Sequence, residues 1–126
     1  MIADTTFVSD LLKERRKGQH GPASKFLVEL RGVIRTTIIT VGELAVLFDD
    51  SSGAFEWLGR WKIYRLNDGI VKAAADVDRA LISRGQRLGE NDNWIAGFCA
   101  YYREPIISHD AGFDRVPGIR RVVYQR

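Results

Sequence analysis

A chain of 126 residues that is 45% apolar and 28% charged can bury one core, and its make-up is that of an ordinary globular domain rather than a disordered or fibrous chain. No apolar run approaches the roughly 20 residues of a membrane span, and the opening MIADTTFVSD, acidic at Asp4 and without a basic start, does not read as a secretory signal. A net charge of +3 is compatible with a polyanionic partner without requiring one, while a lone cysteine, Cys99, excludes an internal disulfide and fits a reducing cytoplasm.

Residues 1–4, MIAD, read as a short buried strand running into a turn. Thr5 or Thr6 offers a cap for a helix over 6–17, in which Phe7, Val8, Leu11 and Leu12 recur at helical spacing. Gly18 and the Gly21–Pro22 pair end it, and a second helix over 23–31 turns Phe26, Leu27 and Leu30 inward. The β-branched run Val33 to Ile39 predicts a second strand, followed by a helix containing Glu43, Leu44, Leu47 and Phe48. A short aromatic helix covers 54–61, and Lys62 to Leu66 is a weak third strand. Ile70, Ala74, Val77 and Leu81 form the apolar stripe of a helix ending near Gly85. Asn91 or Asp92 opens another helix, with Ile95, Cys99 and Tyr102 on one face. Pro105 to Ser108 (PIIS) is a strand, and Arg121 to Tyr124 a last short one.

Strands alternating with helices predict a single α/β domain over 1–126, with a parallel sheet covered on both faces. Ligands in such folds sit beyond the carboxyl ends of the strands. Asp4 ends the first strand, Glu43 lies in the first turn of the helix after the second, Asp110 lies two residues past PIIS, and Asp92 starts a helix. Each position alone has an innocent explanation, since Asp is a common helix cap. Together they place four acids, far apart in sequence, at the end of the fold where ligands gather. Carboxylates this close raise one another's pKa and oppose folding unless a cation sits among them. Hard oxygen donors suit Mg²⁺ or Mn²⁺, an ion that can grip a phosphate and acidify a bound water, which is what phosphodiester hydrolysis needs.

At these residues the chain resembles the PIN-domain toxins of the VapC type. The start I-A-D-T-T-F-V-S-D-L-L resembles that family's strand, Asp, hydroxyl residue and helix; T-I-I-T-V-G-E-L resembles its strand and helix with a buried Glu; L-G-E-N-D-N-W-I-A-G resembles the segment where an Asp precedes Ile-Ala by three residues; and I-I-S-H-D-A-G-F-D-R-V-P-G-I resembles its closing strand, acid and Pro-Gly tail. The order and spacing hold over essentially the whole chain. The resemblance implies a three-layer α/β/α fold with a central parallel sheet of four or five strands. It implies an Mg²⁺- or Mn²⁺-dependent endoribonuclease, dimeric and held inactive by a cognate antitoxin in a hetero-oligomer. Asp4, Glu43, Asp92 and Asp110 match the catalytic, metal-holding quartet, Thr5 the hydroxyl after the first acid, and Ser108 a hydroxyl on the last strand. Many members carry an acid directly before the Phe at 113, where this chain has Gly112; Asp114, after the Phe, is a possible substitute.

Other features allow two readings. Lys13, Arg15, Arg16 and Lys17 are either an RNA-contacting patch or cations suited to a helix C-terminus. Arg84, Arg87, Arg115, Arg120 and Arg121 are scattered later. His109 adjoins Asp110, yet a metal mechanism needs no histidine; His20 lies in a loop, and Cys99 on an apolar face reads as core. Phe55, Trp57, Leu58 and Trp61 make either a docking surface or plain core. The alternative to a nuclease is a PIN-like domain without catalysis, binding RNA or protein only. A haloacid-dehalogenase-type phosphatase needs D-x-D where this chain has D-T-T, and a receiver domain needs a late Lys that PIISHD lacks.

Overall fold

A computed structural model describes residues 1–126, and its central strand sets the frame. β1 (Ile2–Ala3) pairs with β2 (Arg35–Thr37) on one side and β4 (Ile106–Ile107) on the other. β3 (Lys62–Tyr64) flanks β2 and β5 (Arg121–Val122) flanks β4, giving five parallel strands in the order β3-β2-β1-β4-β5. Parallel neighbours need long crossovers, and helices supply most of them. α1 (Thr5–Arg16) and α2 (Pro22–Glu29) follow β1, α3 (Ile38–Ala45) and α4 (Ser52–Leu58) join β2 to β3, and α5 (Asp68–Ser83) and α6 (Glu90–Tyr102) join β3 to β4. No helix is long and apolar enough to cross a membrane.

Because side chains alternate across a strand, each central strand serves two cores with two residues. Ile2 and Ile106 enter the core shared with α5 and α6, among Ile70, Leu81, Ile95 and Phe98. Ala3 and Ile107 enter the opposite core, among Phe7, Val8, Leu11, Leu44 and Leu58 from α1, α3 and α4. Each fully buried aliphatic or aromatic side chain of this kind contributes roughly 1.5–3 kcal/mol. This is the expected three-layer α/β/α arrangement, with five strands. Cys99, 1% exposed, is core as expected.

The strands are shorter than the sequence predicts, and the reasons are local. The run Val33 to Ile39 yields only Arg35–Thr37, because the Thr37 hydroxyl accepts the Thr40 N–H at 3.2 Å and caps α3, taking Ile38 and Ile39 into a helix. That helix ends at Ala45, so Leu47 and Phe48 lie in the turn beyond it. The first helix starts at Thr5 with Asp4 in the cap position, so neither threonine caps it. The aromatic helix spans Ser52–Leu58 rather than 54–61, and α6 begins at Glu90, one residue before Asn91 and two before Asp92, with Gly89 in the cap position. A 3₁₀ turn over Ala111–Arg115, between β4 and β5, has no counterpart in the sequence reading.

Candidate active site

Beyond the carboxyl ends of β1, β2 and β4 lies a cavity of about 310 Å³ lined by ten residues, none of them apolar. Asp4, Glu43, Asp92 and Asp110 all line it, as does Thr5. Each acid is delivered by a different element: Asp4 leaves β1, Glu43 rides on α3, Asp92 sits in the first turn of α6, and Asp110 caps the 3₁₀ turn after β4.

Hydroxyl groups fix the acids. Ser108, fully buried, donates from Oγ to Asp4 Oδ2 at 2.6 Å and accepts the Asp110 backbone N–H at 2.9 Å, so one side chain ties the first acid to the last. Thr6 Oγ1 donates to the same Asp4 oxygen at 3.2 Å. Thr5 Oγ1 donates to Glu43 Oε1 at 2.7 Å and lies 3.2 Å from Thr40 Oγ1. Asp110 Oδ1 accepts the Gly112 N–H at 2.8 Å.

The electrostatics are those of crowded anions. Asp4 is 2% exposed, and its burial outweighs the hydrogen bonds from Ser108, Thr5 and Thr6 and lifts its pKa above the usual carboxylate value. Asp92 is pushed up to about 7 by burial, by a hydrogen bond with Asp110, and by the charges of Asp4, Asp110 and Glu43. The site holds more negative charge than it can comfortably ionise, and a divalent cation is the natural relief. The side chains do not form a ready group of three direct ligands. Their chemistry nonetheless suits Mg²⁺ or Mn²⁺: Mg²⁺ keeps several of its waters and needs only one or two carboxylates, so acids standing back from the ion can hold it through water.

Several expected residues fall elsewhere. Asp114 is exposed and takes both Nε and Nη2 of Arg121 at 2.9 Å, so it lies outside the acid set. Gly112, where an acid is expected, lies against Asp110: its backbone N–H donates to Asp110 Oδ1 at 2.8 Å, and a Cβ there would stand 3.0 Å from the same oxygen. His109 does not line the cavity; its ring packs on Tyr124 at 4.1 Å, and burial lowers its pKa, favouring the neutral form. The basic run splits: Lys13 lines the cavity, while Arg16 donates to the Leu47 carbonyl at 2.7 Å and covers the Phe48 ring. Arg87 pairs with Asp78. Thr6, Ser9, Asp10 and Arg126 also line the cavity without having stood out in the sequence. Thr6, Asp10 and Lys13 follow helical spacing and mark one face of α1, whereas nothing local signals Arg126.

The family model of the PIN domain matches residues 1–119. A comparison with curated proteins found no match. Among solved structures, the chain is similar to one from VapBC2 of Rickettsia felis bound to a DNA fragment from their promoter, with 16% identity, 98% of each chain covered and a TM-score of 0.77. It is similar to one from VapBC-1 of nontypeable Haemophilus influenzae, with 21% identity, 97% of this chain and 96% of that one covered, and a TM-score of 0.75. A toxin–antitoxin complex from Klebsiella pneumoniae gives 19% identity over 94% of this chain and 93% of that one, with a TM-score of 0.73. At such identities the neighbours speak for the fold alone; the family match, running over residues 1–119, goes further and makes this chain a member of the PIN-domain family.

Proposed function

We propose that this protein is a metal-dependent endoribonuclease, the toxin of a toxin–antitoxin pair, working in the cytoplasm and neutralised by a cognate antitoxin. The observation that carries the reading is the convergence of Asp4, Glu43, Asp92 and Asp110 on one wholly polar cavity at the ligand-binding end of a parallel sheet. The likeness to chains from VapBC and toxin–antitoxin complexes supports the toxin role, a protein partner and a hetero-oligomer.

Asp4, Asp92, Glu43 and Asp110 would hold Mg²⁺ or Mn²⁺, which when bound supplies a Lewis acid for a phosphoryl oxygen and lowers the pKa of a water. The chain's own residues do the positioning. Ser108 and Thr6 fix Asp4 through two hydrogen bonds on one oxygen, and Thr5 fixes Glu43. Asp92, pushed up to about 7, holds a proton near neutral pH in the metal-free chain and would release it to solvent when a cation is bound. His109, held against Tyr124, takes no part.

The test is cleavage of RNA by protein freed of its partner. Activity is expected only with Mg²⁺ or Mn²⁺, EDTA is expected to abolish it, and Asp92→Asn to reduce kcat by orders of magnitude, with His109→Ala mattering far less. Equal losses in the two variants, or cleavage that persists in EDTA, would refute the mechanism.

A further inference from the structure

The cavity that gathers the acids also carries two cations. Lys13 and Arg126 both line it, and so does a fifth acid, Asp10. Asp10 differs from the other four in being paired with a cation. Its Oδ2 accepts the Tyr124 hydroxyl at 2.5 Å and Arg126 Nε at 3.0 Å. Tyr124 is 2% exposed, with its ring 5.1 Å from Phe7, so the anchor is rigid. The Asp10–Tyr124 unit therefore fixes where the Arg126 guanidinium lies and uses only Nε, leaving both Nη groups without a hydrogen-bond partner. The Arg126 side chain is 57% exposed, and an ion pair that open to solvent adds little to folding. Lys13 stands three residues beyond Asp10 on the same face of α1, exposed and free of any ion pair.

An acidic floor and a cationic edge within one cavity have complementary tasks. Four carboxylates repel an anionic backbone, so a substrate strand needs positive charge beside them to settle. A guanidinium with two free Nη groups suits a phosphate held by two parallel hydrogen bonds, and a free ammonium suits the next one as a point charge. We propose that Lys13 and Arg126 form a lip that seats the backbone phosphates flanking the cleaved bond of an RNA strand, with Asp10 and Tyr124 as positioning residues for Arg126. The inference rests on the proposed function and adds where the substrate lies across the site.

The test uses one short fluorescein-labelled single-stranded oligoribonucleotide in two assays. Binding is followed by anisotropy in EDTA at several salt concentrations, and cleavage is followed with Mg²⁺. Lys13→Ala and Arg126→Ala are each expected to lower the steepness of log K against log salt by about 0.7, the value for one lost phosphate contact on a single strand. Each is expected to raise KM several-fold while kcat stays within about twofold. Arg126→Lys keeps the charge and is expected to restore the salt slope. Both positions are at the surface, and melting curves matching the wild type verify the fold. If the wild type cleaves but both alanine variants keep its slope and KM, or lose kcat instead, the lip is wrong and the nuclease reading stands. If the wild type cleaves nothing with Mg²⁺ or Mn²⁺, the nuclease reading falls and the lip falls with it.

Discussion

Asp92 carries the strongest electrostatic signature among the four acids. Burial is the largest cause of its rise to about 7, followed by its hydrogen bond with Asp110 and the charges of Asp4, Asp110 and Glu43. A carboxyl whose folded pKa lies above its unfolded value adds stability that is complete below the unfolded pKa, about 3.9, and is lost as pH rises through the folded one. Metal-free protein should therefore melt higher at about pH 5 than at about pH 8. Asp4 is raised and acts in the same direction, His109 is lowered from 6.5 and opposes the trend in part of this window, and Glu14 and Glu104 are lowered from 4.5 and act only in a more acidic range, so the Asp92 contribution is the difference from Asp92→Asn. Asp92→Asn should flatten the profile, and saturating Mg²⁺ should lift the melting temperature most at the alkaline end; a profile unchanged by the substitution would mean Asp92 is ionised throughout. At this scale the quartet was legible because topology assigns meaning to acids after strands. The supporting hydroxyl of Thr6, which meets Ser108 across 102 positions, and the charges of Asp10 and Arg126, which meet across 116 positions, were not.

Among the elements, α5 and α6 make the closest contact. Gly97 faces Ala74, and a Cβ built on it would stand 2.6 Å from the Ala74 Cβ and 3.0 Å from its Cα. Asn93, one turn earlier, donates to the Ala74 carbonyl at 3.0 Å, so the contact also sets where the first turn of α6, and Asp92 with it, is held. Gly97→Ala gains about 1 kcal/mol of helix propensity, but the clash is with backbone that cannot swing aside. Overpacking of this kind costs about 1–3 kcal/mol, and the expected result is a lower urea midpoint with weaker Mg²⁺ binding. An unchanged midpoint would show that the helices separate at no cost. Helices with a clean apolar stripe, such as α5 with Ile70, Ala74, Val77 and Leu81, were readable in sequence. The start of α3 was not, because Ile38 and Ile39 favour strands and only the Thr37 cap reverses that preference. The 3₁₀ turn was missed because five residues carry too little periodicity to register.

Over the whole molecule, the aromatic segment divides its side chains between core and surface. Ala54 and Leu58 are fully buried, Trp57 and Trp61 pack half-buried against the same core, and Phe55 is 43% exposed. With Val46 at 84% and Leu47 at 43% exposed nearby in sequence, this side presents apolar surface without losing its anchor. If the proposed protein partner docks here, hydrogen exchange over 54–61 should be measurable in the free protein, because a seven-residue helix is marginal, and should slow in the complex. Exchange already fully suppressed in the free protein would assign the segment to the core alone and move the docking groove elsewhere.

The hydrogen bond from Ser108 to Asp4 joins residues 104 positions apart. The hydroxyl that holds Asp4, the strand that flanks β1 on that side and the last acid all come from residues 106–110. The centre therefore assembles only when β4 docks beside β1, so its formation reports long-range pairing of the sheet rather than any local folding step.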